Sequence, residues 1–116
     1  MTRAVFQLQT TDGDGARTPA EVIVTGEVDA SNVRDFTRSV QELPGARPVI
    51  LQLSSVKYLD SAGFAALDLL LAESAVVIVL SPDSFMYRVA ELMCLPIHHD
   101  TKTARRALRD AAKSHE

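Results

Sequence analysis

Several things are scarce in this chain, and each scarcity removes a class of protein. Among its 116 residues there is one cysteine, Cys94, which excludes an intramolecular disulfide and fits a reducing compartment. No apolar run approaches the roughly eighteen residues that a membrane span needs. The segment Met1-Thr2-Arg3-Ala4-Val5-Phe6 has neither a sustained apolar region nor a small-residue cleavage site, so no signal peptide is expected. A soluble, cytoplasmic domain with no membrane partner follows as an expectation. Twelve Lys and Arg against fifteen Asp and Glu leave a formal net charge of −3, without the basic excess that general nucleic-acid binding shows. Neither Gly-x-Gly-x-x-Gly nor the Walker pattern occurs. There is also no Gly-x-Ser-x-Gly elbow, and no Cys, Glu or Asp cluster beside His98-His99 completes a metal site. An enzyme, a resident cofactor and a bound metal are therefore not expected.

What is present is ordinary for a globular protein, with 47% hydrophobic and 23% charged residues. The length suits one domain, residues 1–116, able to bury about two-thirds of its unfolded surface. Ala4 to Gln9 suits an edge strand. Thr10 to Pro19 is dense in turn residues, and its Asp12-Gly13-Asp14-Gly15 lacks the further ligands of a calcium loop, so a hairpin loop is expected. Glu21 to Thr25 is β-branched and reads as a second, antiparallel strand. A helix from about Ala30 to Leu43 buries Val33, Phe36, Val40 and Leu43, with Asp29 or Ser31 as its cap and Pro44-Gly45 as its stop.

Pro48 to Leu53 is a nearly continuous apolar run of the kind that fills a buried strand. The apolar segment from about Ser61 to Glu73 is too long for a strand and reads as a helix. Between them, Val56-Lys57-Tyr58-Leu59-Asp60-Ser61-Ala62-Gly63-Phe64 is the strand-to-helix pivot. Asp60 and Ser61 are both favoured cap types, since a short side-chain oxygen can accept from an unpaired N–H of the first turn. Added negative charge is best tolerated there. Val76 to Leu80 is the next buried strand. Ser81-Pro82-Asp83 then reads as the start of a helix running through Phe85, Val89, Leu92 and Met93. Cys94, at the following turn, reads as a buried structural cysteine, with a redox-responsive thiol as the other reading. Ile97-His98-His99 suits a short edge strand with surface histidines. Thr101 to Lys113 is a last helix with Ala104, Ala107, Leu108 and Ala111 inward. The order predicts an α/β domain with a mostly parallel, four- to five-stranded sheet, an antiparallel first strand and four helices.

Leu59-Asp60-Ser61-Ala62-Gly63 resembles the signature of the STAS domain, specifically of bacterial anti-sigma factor antagonists. Val24-Thr25-Gly26-Glu27-Val28-Asp29 is similar to the family's strand-two turn, and the resemblance covers roughly residues 20 to 112. It implies that Ser61 is phosphorylated by an anti-sigma factor acting as an ATP-dependent serine kinase. It also implies that Glu27, Asp29, Asp60, Ser61, Ala62, Gly63 and Phe64 meet that partner. The unphosphorylated form would bind and so free a sigma factor for transcription in a stress response, with the chain a monomer or weak dimer. The other reading of Ser61 is a helix cap alone, and the other reading of the chain is a STAS scaffold without phosphorylation, or one governed by Cys94. Two departures stand out. Relatives usually carry a longer, glycine-containing connection where this chain has Ser74-Ala75, which implies a shortened helix or a tight turn. Met93-Cys94-Leu95-Pro96 stands where many have Ser-Gly-Leu.

Overall fold

The structure, a computed structural model, describes residues 4–11, 19–45 and 47–114. Asp12-Gly13-Asp14-Gly15 lies outside them. In chain order the strands are β1 (Phe6–Thr11), β2 (Glu21–Val28), β3 (Val49–Gln52), β4 (Val56–Leu59), β5 (Val76–Val79) and β6 (Ile97–His98). The helices are α1 (Val33–Gln41), α2 (Ser61–Ala72), α3 (Tyr87–Leu92) and α4 (Thr101–Ser114). The expected mixed α/β fold is present, with β1 antiparallel to β2 and the other pairings parallel.

The sheet runs β1-β2-β3-β5-β6, and β4 pairs with β2 beyond β3. Six strands thus fill five lanes, one strand more than the four or five expected. Residues 21–23 of β2 pair with β3, and residues 26–28 pair with β4. The shared lane breaks at Ser54, whose backbone N–H donates to Gln52 Oε1 at 2.9 Å and whose hydroxyl accepts from the Ser81 N–H at 2.8 Å. This local bonding gives the chain an alternative to the ladder. The pivot's Val56 to Leu59, read as part of the turn, is therefore a strand of its own.

Burial follows the two faces of the sheet. Val22, Val24 and Val28 of β2 share a core with Phe36 and Val40 of α1, Leu67 and Leu70 of α2, and Met86 and Ala90 beside and within α3. A smaller cluster of Ile50, Val79 and Ala104 lies on the opposite face, under α4. Neighbouring strand residues such as Ile50 and Leu51 serve opposite faces because side chains alternate across the pleat. Each large side chain removed from water in this way contributes about 1.5–3 kcal/mol.

Helix ends account for most differences from the sequence reading. Asn32 precedes α1, and neither Asp29 nor Ser31 caps it. The C-terminal end of α1 is closed by Arg47, whose guanidinium donates to the carbonyls of Val40, Gln41 and Leu43. α2 is not shortened: Ser74 adopts a positive φ of 57° and closes a tight turn. The N–H groups of Ser74 and Ala75 donate back to Leu71 and Leu70, the wrap that a glycine usually makes. α3 begins late, because Ser81 to Met86 is held in successive turns, with Ser84 N–H donating to Ser81 O and Tyr87 N–H to Ser84 O. Phe85, Val89, Leu92 and Met93 face solvent while Met86 and Ala90 face the core. Cys94 is exposed, not buried, and carries the positive φ of 59° that ends α3. In α4, Ala104 is buried but Ala111 is exposed.

Candidate functional site

The pivot meets the end of β2 at the carboxyl edge of the sheet. Glu27 lies in register with Tyr58, and Val28 with Leu59, so the two strands deliver their following loops side by side. Asp60 then leaves the strand in an extended conformation and caps α2: its Oδ1 accepts from the Gly63 N–H at 3.0 Å. Its Oδ2 accepts from the Ala30 N–H at 3.3 Å. One carboxylate therefore holds the first turn of α2 against the loop that follows β2.

That loop is built by two further side chains. Asn32, 9% exposed, accepts from the Asp29 N–H at 2.9 Å and donates through Nδ2 to the Glu27 carbonyl at 2.9 Å. Asp29 Oδ1 accepts from both the hydroxyl and the N–H of Ser31. The Ser31 hydroxyl first, and then its N–H, hold the Asp29 carboxyl below its ordinary value by favouring the charged form. Asn32 has no part in the sequence reading. The signal available for it was an asparagine immediately before a helical apolar stripe, which reads as a cap rather than as a strut across the loop.

Ser61 is the first residue of α2 and is exposed. Because Asp60 already occupies the cap, Ser61 is not the cap, and among the described residues its hydroxyl has no hydrogen-bond partner. Asp60 and Ala62 flank it in the chain, while Glu27 lies on the strand beside β4 and Asp29 in the loop bonded to Asp60 through Ala30, each with an exposed or half-buried side chain. Two of the expected contact residues are placed otherwise. Phe64 is 6% exposed and packs in the main core. Gly63 is buried, and a Cβ there would lie 2.4 Å from Leu59 Cδ1 and 3.3 Å from the Val28 carbonyl oxygen. Both residues seat α2 on the sheet and offer no side chain to a partner. Tyr58, 49% exposed beside Glu27, adds a surface aromatic that the sequence reading did not single out.

Elsewhere, Tyr87 Oη and His99 Nε2 stand 2.9 Å apart, which ties the end of β6 to α3. Among the described residues no group of three or more His, Cys, Asp or Glu side chains is arranged to hold a metal ion. No helix among them is long and apolar enough to cross a membrane.

No curated protein matches this chain. A crystal structure of an anti-sigma factor antagonist from Mycobacterium paratuberculosis superposes with a TM-score of 0.69 at 22% sequence identity, covering 90% of this chain and 95% of that one. At that identity the likeness is one of fold. The model of the STAS domain matches residues 7–92, from β1 to the end of α3 and including the Asp60-Ser61 turn. The chain belongs to the STAS domain family.

Proposed function

We propose that this chain is an anti-sigma factor antagonist, a regulator without catalytic activity of its own. It binds an anti-sigma factor through the surface around Ser61 while that serine is unphosphorylated, and so frees a sigma factor. The anti-sigma factor, acting as a serine kinase, transfers the γ-phosphoryl group of its ATP to Ser61 Oγ, with release of ADP and the hydroxyl proton, and the complex dissociates. The observation that carries the reading is an exposed hydroxyl, free of hydrogen bonds among the described residues, on the first residue of a helix whose cap is already supplied by Asp60.

Phosphorylation adds about −1.5 to −2 charges near neutral pH. The N-terminus of α2 tolerates this charge, so the fold survives the modification. The surface around it already carries Glu27, Asp29 and Asp60. A dianion added there repels an acidic partner surface and cannot be desolvated against an apolar one. Binding is switched without refolding.

The test is incubation with purified anti-sigma factors and ATP, mass spectrometry of the phosphosite, and calorimetry of each form. Ser61→Ala should bind whether or not ATP is present. Ser61→Glu and phosphorylated protein should bind at least about tenfold more weakly, the equivalent of some 1.4 kcal/mol. Equal affinities for both forms would leave a scaffold that phosphorylation does not govern. The exposure of Cys94 favours one such second reading, an interaction weakened by thiol oxidation. Mild oxidation that abolishes binding in the native chain but not in Cys94→Ser would select it.

A further inference from the structure

We infer that the groove between α1 and α2 is a docking site for an acidic, amphipathic helix of a protein partner. α1 and α2 lie side by side and run in the same direction. At their N-terminal ends the Ala30 N–H donates to Asp60 Oδ2, and at their C-terminal ends Gln41 Nε2 donates to Glu73 Oε1 at 3.0 Å. Between these ties lies an open groove of about 500 Å³. Its floor is apolar, formed by Val33, Ala62, Ala65, Ala66 and Leu69, and Leu69 is 50% exposed although it is a leucine within a helix. Arg34 and Arg38, one helical turn apart, stand along the α1 side. Both are exposed, and among the described residues neither guanidinium has a hydrogen bond or an ion pair.

The chemistry of an occupant follows from these groups. An apolar floor with small residues at three positions admits the ridge of a helix, whose anchors recur at three- and four-residue spacing. Two unpaired cations along one wall, in a protein whose formal net charge is −3, select carboxylates on the flank of that helix, since opposed charge sets register and excludes basic competitors. The groove reaches Ala62, next to Ser61, so an occupant is continuous with the switch surface. This inference extends the proposed function but does not need it, because the groove is complete without a phosphate.

The probe is a synthetic fourteen-residue helical peptide with leucines at positions spaced i, i+3, i+4 and i+7 and glutamates along one flank. Its counterpart carries lysines in place of the glutamates. Binding to the full chain is read from the methyl resonances of Ala62, Ala65 and Leu69 by NMR titration. The acidic peptide should shift them and the basic one should not. Arg34→Glu/Arg38→Glu should weaken the acidic peptide by about fivefold or more and admit the basic one, as expected for two exposed ion pairs turned to repulsions. Leu69→Asp, at a half-exposed position, should weaken the acidic peptide and, in the Arg34→Glu/Arg38→Glu background, the basic one. Absence of shifts at these methyls, or equal shifts with both peptides, overturns the inference. A groove that fails this test while the Ser61 switch operates leaves the antagonist role standing. Peptide binding without any phosphorylation dependence of anti-sigma binding leaves the groove and removes the switch.

Discussion

Replacing Asp60 by alanine removes two hydrogen bonds that hold different parts of the site. The first is the cap from Oδ1 to the Gly63 N–H, and losing an aspartate cap to alanine costs about 0.5–2 kcal/mol. The second joins Oδ2 to the Ala30 N–H at 3.3 Å. It is long and exposed, so about 0.5–1 kcal/mol is a suitable figure for it, below the range for buried charged pairs. The sum is about 2 kcal/mol. For a chain of this length a loss of 1 kcal/mol lowers Tm by about 3–6 °C, between the values for smaller and larger domains, so Asp60→Ala should melt about 6–12 °C below the native chain. Asp60→Asn separates the two contributions. Asparagine caps as well as aspartate, whereas its amide nitrogen cannot accept from Ala30, so the Asp60→Asn variant should recover more than half of the loss. Differential scanning calorimetry measures both, with amide chemical shifts at Ala30 and Gly63 reporting each bond separately. A melting point for Asp60→Ala within about 1 °C of the native chain would refute the claim that this carboxylate joins the two loops.

Three further outcomes are expected. Gly63→Ala should destabilise by about 1–3 kcal/mol in denaturant melts, as overpacking does, because its Cβ would meet Leu59 Cγ at 2.8 Å and the Val28 carbonyl oxygen; an unchanged midpoint would contradict the close approach of α2 to β4. Ser31→Ala should raise the Asp29 pKa toward its ordinary value of 3.8, read by carboxyl-carbon NMR titration. The contribution from the depressed native pKa is present above the unfolded value and is lost as pH falls through the native one, so the variant should differ from the native chain near neutral pH and converge with it in acid. Cys94→Gly should stabilise by about 0.5–1 kcal/mol, because glycine accepts a positive φ without the cost that a side chain brings; a loss of stability would mean that the thiol makes a contact outweighing the backbone.

The parts of the fold that were legible in the sequence are those where periodicity and end signals agree. Val33, Phe36 and Val40 mark one face of α1, with Leu43 continuing it just past the helix end, and Asp60 sits directly before the apolar segment that becomes α2. α3 shows the limit of periodicity. Phe85, Val89, Leu92 and Met93 form one stripe at helical spacing and Met86 with Ala90 another. Spacing alone does not say which stripe meets the sheet, and the structure turns the smaller one inward. Turns were expected at Ser74 and Cys94, but not that each would close in the left-handed region, because neither residue advertises that conformation as glycine does. At the candidate site, local sequence marked Asp60 as a cap type, and Asp60 caps α2 with Ser61 as the first helical residue. Asn32 was not legible, since its strut across its own loop to Asp29 and Glu27 reads in sequence as a cap; Tyr58 was not, since its neighbour Glu27 lies on another strand; and Phe64 follows the core pattern rather than the surface one.

The strand order also ranks how the molecule opens. β3 lies between β2 and β5, and Ile50 and Leu51 are fully buried within it. Their amide protons should exchange with deuterium only when the whole sheet comes apart, and so report the global free energy of unfolding. β6 pairs through Ile97 and His98 alone, so its protons should exchange through far smaller excursions. α4 follows β6 after two residues, and Thr101 and Arg105 near its start bond Glu21 and the Pro19 carbonyl at the other side of the chain. A swing of the C-terminal segment away from the sheet would therefore expose the start of β2 while leaving Asp60 and its two partners protected. Deuterium uptake that rises together at residues 20–22 and 97–105, ahead of residues 60–64, would be the signature of that opening.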